Sequence, residues 1–384
     1  MKIAIFTNNY LPNPFGVSGS IESFRKVFEK KGHTAYIFAP YWKGYTDSNP
    51  NVFRYPALKF SSKGIKYPLP LPYSKKMNGI IKKMEFDIIH AQHPNLLGAA
   101  GAHWAKKKNV PLVFTWHTLY DQYAHFVPLV PRKMAAAWAI GNARKYANRA
   151  DQVIVPTPSV GEIIKNWGVT NENIEAVPTG VEEDQFSNLD KEIIREKYGI
   201  KKDEILLFVM TRLTEEKNVL FLFDAAVGIL EKNPKTKFMI CGDGGLKKEI
   251  AKKIDGLGLR ERIILAGIVS SDEKKNYYAA GDIFVYASKS ETQGMILTEA
   301  MYSGLPIVAV RTTGVKDVVE DGRTGFLTEE DREEFSEAAQ KLIDDAELRR
   351  NFGEEAARTA REKYTATVCG ERMLGVYERV INKK

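Results

Sequence analysis

Two glutamates eight residues apart, Glu291 and Glu299, bracket a glycine in the string ETQGMILTEA. The apolar run DIFVYA at 282–287 ends just before them. A helical pattern begins at about Gly294 and stops at Gly304, with Pro306 beyond. At such a strand–loop–helix junction the N–H groups of Gly294, Met295 and Ile296 have no intrahelical acceptors and carry the positive end of the helix dipole. An anion is favoured there. Carboxylates on either side suit the hydroxyls of a sugar and a ribose. An ordinary surface helix with a capping loop would present the same residues, so the motif has to be weighed with the rest of the chain.

Other residues of the same kind follow strand-like runs. After ILLFVM comes TRLTEEKNV, where Arg212 supplies a planar fork for phosphate oxygens and Lys217 a compact point charge. Together they could neutralise a diphosphate; a solvated charged loop is the plain alternative. The first loop, NNYLPNPFGVSGSIESF, places Gly16 and Gly19 before a helix N-terminus, where backbone N–H groups can approach phosphate. It is not the spaced G-x-G-x-x-G of dinucleotide folds, and a tight turn explains it equally well. After PLVFT comes WHTLYDQYAHFVPLVP. His117 lies at the strand end with Trp116 before it, and His125 follows among Tyr120, Tyr123 and Phe126. Sugar rings and acyl chains both pack on such surfaces. His90 and His93 occupy the preceding strand end, as scaffold or as support for a site.

The elements that must position these groups alternate. In the first half, apolar runs at 2–7, 86–90, 111–115 and 152–155 are separated by helical patterns such as 96–107 and 134–150. In the second, runs at 205–210, 237–241, 263–266, 283–287 and 307–310 alternate with helices over 219–230, 245–257, 273–280 and 295–303. Short apolar strands alternating with helices predict a parallel sheet covered on both faces, twice over. Ligands of such sheets bind beyond the carboxyl ends of the strands. The turn-rich acidic stretch 178–188 marks a boundary, and 335–384 reads as helix throughout.

A length of 384 residues predicts two domains. Two cysteines, Cys241 and Cys369, allow neither a disulfide framework nor a zinc site and suit a reducing compartment. No apolar run approaches the ~20 residues that span a bilayer, and Met1 and Lys2 lead straight into the strand IAIF without a signal peptide. The net charge of +8 is uneven: residues 1–184 hold 23 Lys and Arg against 13 Asp and Glu, the remainder 33 against 35. A basic half can meet nucleic acid, anionic lipid or a phosphorylated substrate.

The strings TRLTEEKN, GDGG, ETQGMILTEAMYSGLPIVA and PTGVEEDQF together resemble a retaining glycosyltransferase of the GT4 type, over nearly the whole chain. The resemblance implies an α/β GT-B fold: two Rossmann-like domains with a ligand cleft between them. It implies an acceptor-side domain over 1–184, a nucleotide-sugar domain over 185–365, and a last helix, 366–384, packing back on the first. It implies that Arg212 and Lys217 hold the donor diphosphate and that Glu291 contacts the donor sugar. Gly294, Met295 and Ile296 would contact sugar or phosphate through the backbone, and Glu299 the ribose. The base would sit near Gly267, Ile268 and Val269, Gly19 would approach the diphosphate, and His117 would contact the transferred sugar. The loop at Gly16 and Gly19 departs from the adjacent Gly-Gly of the family, which leaves open which glycine makes the contact. No D-x-D triplet occurs to hold a metal, so cations and helix amides are expected to stabilise the leaving diphosphate without a metal or other cofactor.

The string HTLYDQYAHFVPLVP is similar to the subgroup that glucosylates diacylglycerol. Tyr120, Tyr123, His125 and Phe126 within it, and Trp116 just before it, are the acceptor candidates. Between Asp47 and Glu85 there is no acid but eight bases (Arg54, Lys59, Lys63, Lys66, Lys75, Lys76, Lys82, Lys83), interleaved with Phe60, Tyr67, Leu69, Leu71 and Tyr73. That mixture suits an anionic membrane surface; a solvated basic loop is the plain alternative. The expected partners are a UDP-sugar and a lipid acceptor, with the protein peripheral on the inner face of the cell membrane. Transfer from a UDP- or GDP-sugar to a soluble sugar, a polysaccharide intermediate or phosphatidylinositol is the competing enzyme reading. A basic nucleic-acid-binding module is the non-enzymatic one; it has no use for the paired carboxylates and no recognised motif.

Overall fold

A parallel strand buried on both faces needs an unbroken apolar run, and the runs IAIF, LVFT, LLFV and IFVY meet that need. The computed structural model describes residues 1–13, 16–62, 65–123 and 131–384, with side chains described outside 60–67 and 123. The chain divides into two units, residues 1–180 with 366–384, and residues 181–365.

The first unit runs β1 (Lys2–Phe6), α1 (Gly16–Lys30), β2 (Thr34–Pro40), β3 (Val52–Tyr55), β4 (Ala57–Ser62), β5 (Ile65–Pro70), α2 (Lys75–Lys83), β6 (Ile88–Ala91), α3 (Leu97–Lys108), β7 (Leu112–Thr115), α4 (Tyr120–Tyr123), α5 (Arg132–Ala147), β8 (Gln152–Val155), α6 (Pro158–Asn166) and β9 (Ile174–Ala176). Its sheet is parallel with order β3-β2-β1-β6-β7-β8-β9. The order reverses between β1 and β6, the kind of switch point beside which open sheets bind ligands. Successive strand residues face opposite sides. Ala4, Phe6, Phe38, Ile89 and Phe114 pack under α2, α3, α5 and α6. Ile3, Ile5, Ile37, Ile88 and Val113 pack under α1 and the last helix.

The basic stretch at 54–83 is not the solvated loop of the plain alternative. It holds the end of β3, an antiparallel β4–β5 hairpin in which Leu58 lies opposite Leu69, and α2, capped by Ser74.

The second unit runs α7 (Glu192–Lys197), β10 (Ile205–Met210), α8 (Val219–Lys232), β11 (Thr236–Cys241), α9 (Lys247–Leu257), β12 (Ile263–Gly267), α10 (Lys274–Ala280), β13 (Ile283–Tyr286), α11 (Met295–Tyr302), β14 (Ile307–Val310), α12 (Val315–Val318), β15 (Gly325–Thr328), α13 (Arg332–Asp344) and α14 (Ala346–Lys363). Its six strands are parallel, ordered β12-β11-β10-β13-β14-β15, with the same reversal between β10 and β13. One continuous core fills it. The chain then returns to the first unit as α15 (Ala366–Asn382). There Tyr377 meets Phe28 edge-on, and Arg372 donates to the Ala176 carbonyl at 2.8 Å.

Candidate active site

In the second unit the ends of β10 and β13 flank the switch point, with those of β11 and β12 to one side. β10 delivers Arg212, and a short turn over Glu215–Lys217 delivers Lys217 before α8 begins. The loop after β11 braces this turn: Leu213 N–H donates to the Asp243 carbonyl at 2.9 Å. A Cβ at Gly242, whose φ is +138°, would stand 1.8 Å from the Thr211 carbonyl oxygen, so only glycine fits there. That is the structural content of the GDGG string. β12 ends at Gly267; beyond it Ile268 is 78% exposed and Val269 partly buried.

β13 ends at Tyr286, the loop 287–293 follows, and α11 starts after Gly294, which takes φ +78° at the N-cap. Two neighbours hold this loop. Thr312 Oγ1 donates to the Ser288 carbonyl at 2.8 Å, and Gly314 lies so close that a Cβ would be 2.9 Å from the Glu291 carbonyl oxygen. Lys289 N–H donates to the Glu216 carbonyl at 3.0 Å, tying the loop to the Lys217 turn.

Glu291 is the centre of this region. Lys217 Nζ is ion-paired to its Oε1, with the two side chains 11% and 12% exposed. Tyr286 OH donates to the same oxygen at 2.5 Å and Ser288 Oγ at 2.9 Å. Three donors on Oε1 fix the carboxylate's orientation, while Oε2 takes none of them. Glu299, in α11, accepts from Lys274 Nζ on Oε1 at 2.6 Å and from Tyr278 OH on Oε2 at 2.9 Å. Arg212 is 47% exposed and lies 3.3 Å from Glu216. Each base of the TRLTEEKN string is thus matched by a carboxylate. The hydroxyls of Thr211, Thr214 and Ser290 are buried without a hydrogen-bond partner among the described residues. That is unusual for polar groups away from water.

In the first unit Arg54, paired with Asp47, braces the Pro40 and Leu11 carbonyls, and the histidines at the other strand ends are neutral. His117 bonds through Nε2 to Gln92 Oε1 at 2.6 Å. A carbonyl oxygen only accepts, so Nε2 carries the proton and Nδ1 is left as an acceptor. Burial, aided by nearby His93 and His90, lowers its pKa to about 3. His93 Nδ1 accepts from the Asn8 N–H at 3.1 Å, and burial lowers its pKa to about 4. His90 is scaffold, with Nδ1 bonded to Tyr377 OH and Nε2 to Thr115 Oγ1, both at 2.6 Å, and a pKa lowered by burial to about 3.

Gly16 and Gly19 lie in the first turn of α1, and a Cβ at either would meet nothing within 4 Å. Packing among the described residues does not demand glycine at these positions. Trp116 corrects the acceptor set. It is fully buried, donates from Nε1 to the Thr118 carbonyl at 2.8 Å, and packs against Tyr120 and Trp167. It is a core residue and offers no surface to an acceptor. Tyr120 is partly buried, with its phenol pKa raised by burial. The side chain of Tyr123, and His125 and Phe126 entirely, lie outside the described residues.

Sequence reasoning did not single out Tyr286, Ser288, Gln92, Lys274 or Tyr278. The first three sit at strand ends or just beyond, where the strand-end rule points. Lys274 and Tyr278 reach Glu299 from another helix, 25 and 21 residues away in the chain, and have no local signature. Among the described residues no group of three His, Cys, Asp or Glu is placed to hold a metal ion, and no helix is long and apolar enough to cross a membrane.

Comparison with known proteins extends this picture. The model for Glycosyltransferase Family 4 matches residues 16–185, and that for Glycosyl transferases group 1 matches 190–359. An alpha-monoglucosyldiacylglycerol synthase of Acholeplasma laidlawii is 30% identical over 87% of this chain and 86% of its own length. One of the same name from Streptococcus pneumoniae is 29% identical over 85% and 75%. Among solved structures, Anabaena Alr3699/HepE, crystallised with UDP and glucose, superposes with a TM-score of 0.77 at 20% identity, covering 99% of this chain and 100% of that one. Two match-bearing halves, a fold shared from end to end and a relative alike over most of both chains lead to one assignment: the chain belongs to the GT4 glycosyltransferases and has their GT-B fold.

Proposed function

We propose that this glycosyltransferase moves a hexose, glucose from UDP-glucose, to a lipid acceptor such as diacylglycerol, retaining the anomeric configuration, at the anionic inner face of the cell membrane. The observation that carries the acceptor is the likeness to two alpha-monoglucosyldiacylglycerol synthases over 85% and 87% of the chain. A basic β3-hairpin-α2 region with Leu58 and Tyr73 exposed supports the membrane surface.

The groups beside the second unit's switch point support the following chemistry. The C1–O bond to the β-phosphate breaks, and its electron pair leaves with the diphosphate. Arg212, Lys217 and the N–H groups of Gly294, Met295 and Ile296 stabilise that charge without rearranging. The acceptor hydroxyl bonds to C1 from the face the phosphate leaves, and its proton goes to a leaving phosphate oxygen. Glu291 accepts from a sugar hydroxyl through Oε2, and Glu299 uses its remaining lone pairs for the ribose. Neither is a general base. His117 accepts from the transferred sugar through Nδ1, and the first-turn amides near Gly16 and Gly19 approach the diphosphate. The base lies along Gly267, Ile268 and Val269, and Tyr120 borders the acceptor.

A panel of UDP-glucose, UDP-galactose and GDP-mannose against diacylglycerol, phosphatidylinositol and soluble sugars, read by product mass and anomeric proton coupling, tests the reading. An α-glucosyl lipid from UDP-glucose is the expected result. A β-product, or transfer only to soluble acceptors, would overturn it.

A further inference from the structure

The sheet of the first unit has two unlike helical faces. On the α1–α15 side opposite charges pair: Arg25 with Glu22 and Glu29, and Lys31 with Glu371. On the other side, α3 carries three lysines and α5 carries Arg132, Lys133, Arg144 and Lys145, and neither helix holds an Asp or Glu.

α5 also inverts the usual distribution of size. It buries small residues, Ala135, Ala143 and Ala147, together with Tyr146. Its large apolar residues point outward: Met134 is 65% exposed and Trp138, one turn on, 69%. With Ala137 and Gly141 they form a strip at helical spacing, 134, 137, 138 and 141. Two bases stand at each end of it. The strip continues along the helix as Asn142 and Lys145 and, just past its end, Arg149. These line a groove of about 820 Å³ whose opposite wall, from α3, brings His103 and Lys106.

Lys106, Lys145, Arg149 and Lys384 line this groove against one acid, Asp151, so a protein partner of mixed charge would leave most of the rim unmatched. An anionic bilayer matches both parts: headgroups take the bases, and the indole settles at the headgroup level with Met134 beneath it. We infer that the outer α3–α5 face of the first unit is a membrane-docking surface for anionic lipid, with Met134 and Trp138 entering the bilayer. The inference rests on the lipid-acceptor reading but concerns a surface distinct from the residues assigned to transfer.

The test uses the full chain with vesicles of phosphatidylglycerol and phosphatidylcholine, or of phosphatidylcholine alone. The wild type is expected to bind the anionic vesicles, and brominated acyl chains to quench its tryptophan emission. The double variant Met134→Ser/Trp138→Ser should partition at least tenfold less and lose most of that quenching. Lys145→Glu/Arg149→Glu should weaken binding at low salt. Both should turn over a dispersed short-chain diacylglycerol as the wild type does. Vesicle binding by the Met134/Trp138 variant equal to wild type overturns the inference and leaves the lipid acceptor standing. Absence of any glucolipid product from the wild type overturns the acceptor reading itself. Salt-sensitive binding to duplex DNA that depends on Lys145 and Arg149, without vesicle binding, would assign the face to nucleic acid instead.

Discussion

The two units share a sheet topology and a switch point yet place different groups beside it. In the second unit the strand-end groups are charged and paired: Glu291 with Lys217, Glu299 with Lys274, Arg212 with Glu216. In the first the strand-end histidines are neutral: His117 with Gln92, His93 with Asn8, His90 with Thr115 and Tyr377; the Arg54–Asp47 pair lies to one side, at the ends of β2 and β3. In the function proposed above, one architecture serves two chemistries. A diphosphate leaving with its charge needs fixed cations, and carboxylates beside those cations keep the site affordable before the ligand arrives. A hydroxyl acceptor and a sugar face need only oriented neutral donors and acceptors.

The contrast can be broken most sharply at Glu291. Glu291→Gln keeps the shape but not the charge, and kcat is expected to fall about 10³-fold, roughly 4 kcal/mol. Glu291→Ala should cost as much activity and, by stranding the nearly buried Lys217, lower unfolding stability by about 3 kcal/mol in a denaturant titration. A glucosyl adduct trapped on Glu291 or Glu299 would refute the orienting role given to both.

Arg212→Ala should lower kcat about 10²-fold and lower unfolding stability by about 1 kcal/mol, because Arg212 is half-exposed while its partner Glu216 is mostly buried. An equal loss of stability and activity would show that the arginine holds the fold instead.

The first unit responds to acid rather than to charge removal. Folding lowers the pKa of His90 to about 3, so the unfolded chain takes up its proton first as pH drops through about 6.5. Stability is therefore full above that pH and declines below it, by about 2 kcal/mol at pH 5 for this histidine alone. Thermal melts at pH 7 and pH 5, compared with those of His90→Gln, measure it; a variant with an unchanged pH slope would rule the histidine out.

The smallest effect is at Glu299. Glu299→Gln should raise the donor KM about tenfold, near 1.4 kcal/mol, with kcat little altered. A matching fall in kcat would place it at the reacting centre.

The central strands from IAIF to IVAV were readable because a strand covered on both faces must be apolar throughout, and helices at 3.6-residue spacing must separate such strands; the short edge strands β3 and β9 were not. The hairpin at 57–70 was not readable: its prolines and lysines obscure the alternation that a two-stranded ribbon relies on. Trp116 shows the opposite limit. Its place at a strand end suggested a ligand surface, while the fold closes Trp167 and Tyr120 around it.

By itself the amino-acid order determined the types of the central elements, the strand-end loops and the presence in them of Arg212, Lys217, Glu291 and His117, since these depend on local periodicity and on which residues follow an apolar run. Only the tertiary structure decided which groups meet: that three donors share one oxygen of Glu291, that Lys274 and Tyr278 reach Glu299 from another helix, and that His117 is neutral with its Nε2 spoken for. Those contacts join residues up to 74 positions apart. Charge state and hydrogen-bond direction arise from burial and neighbours in space, to which no window along the chain has access.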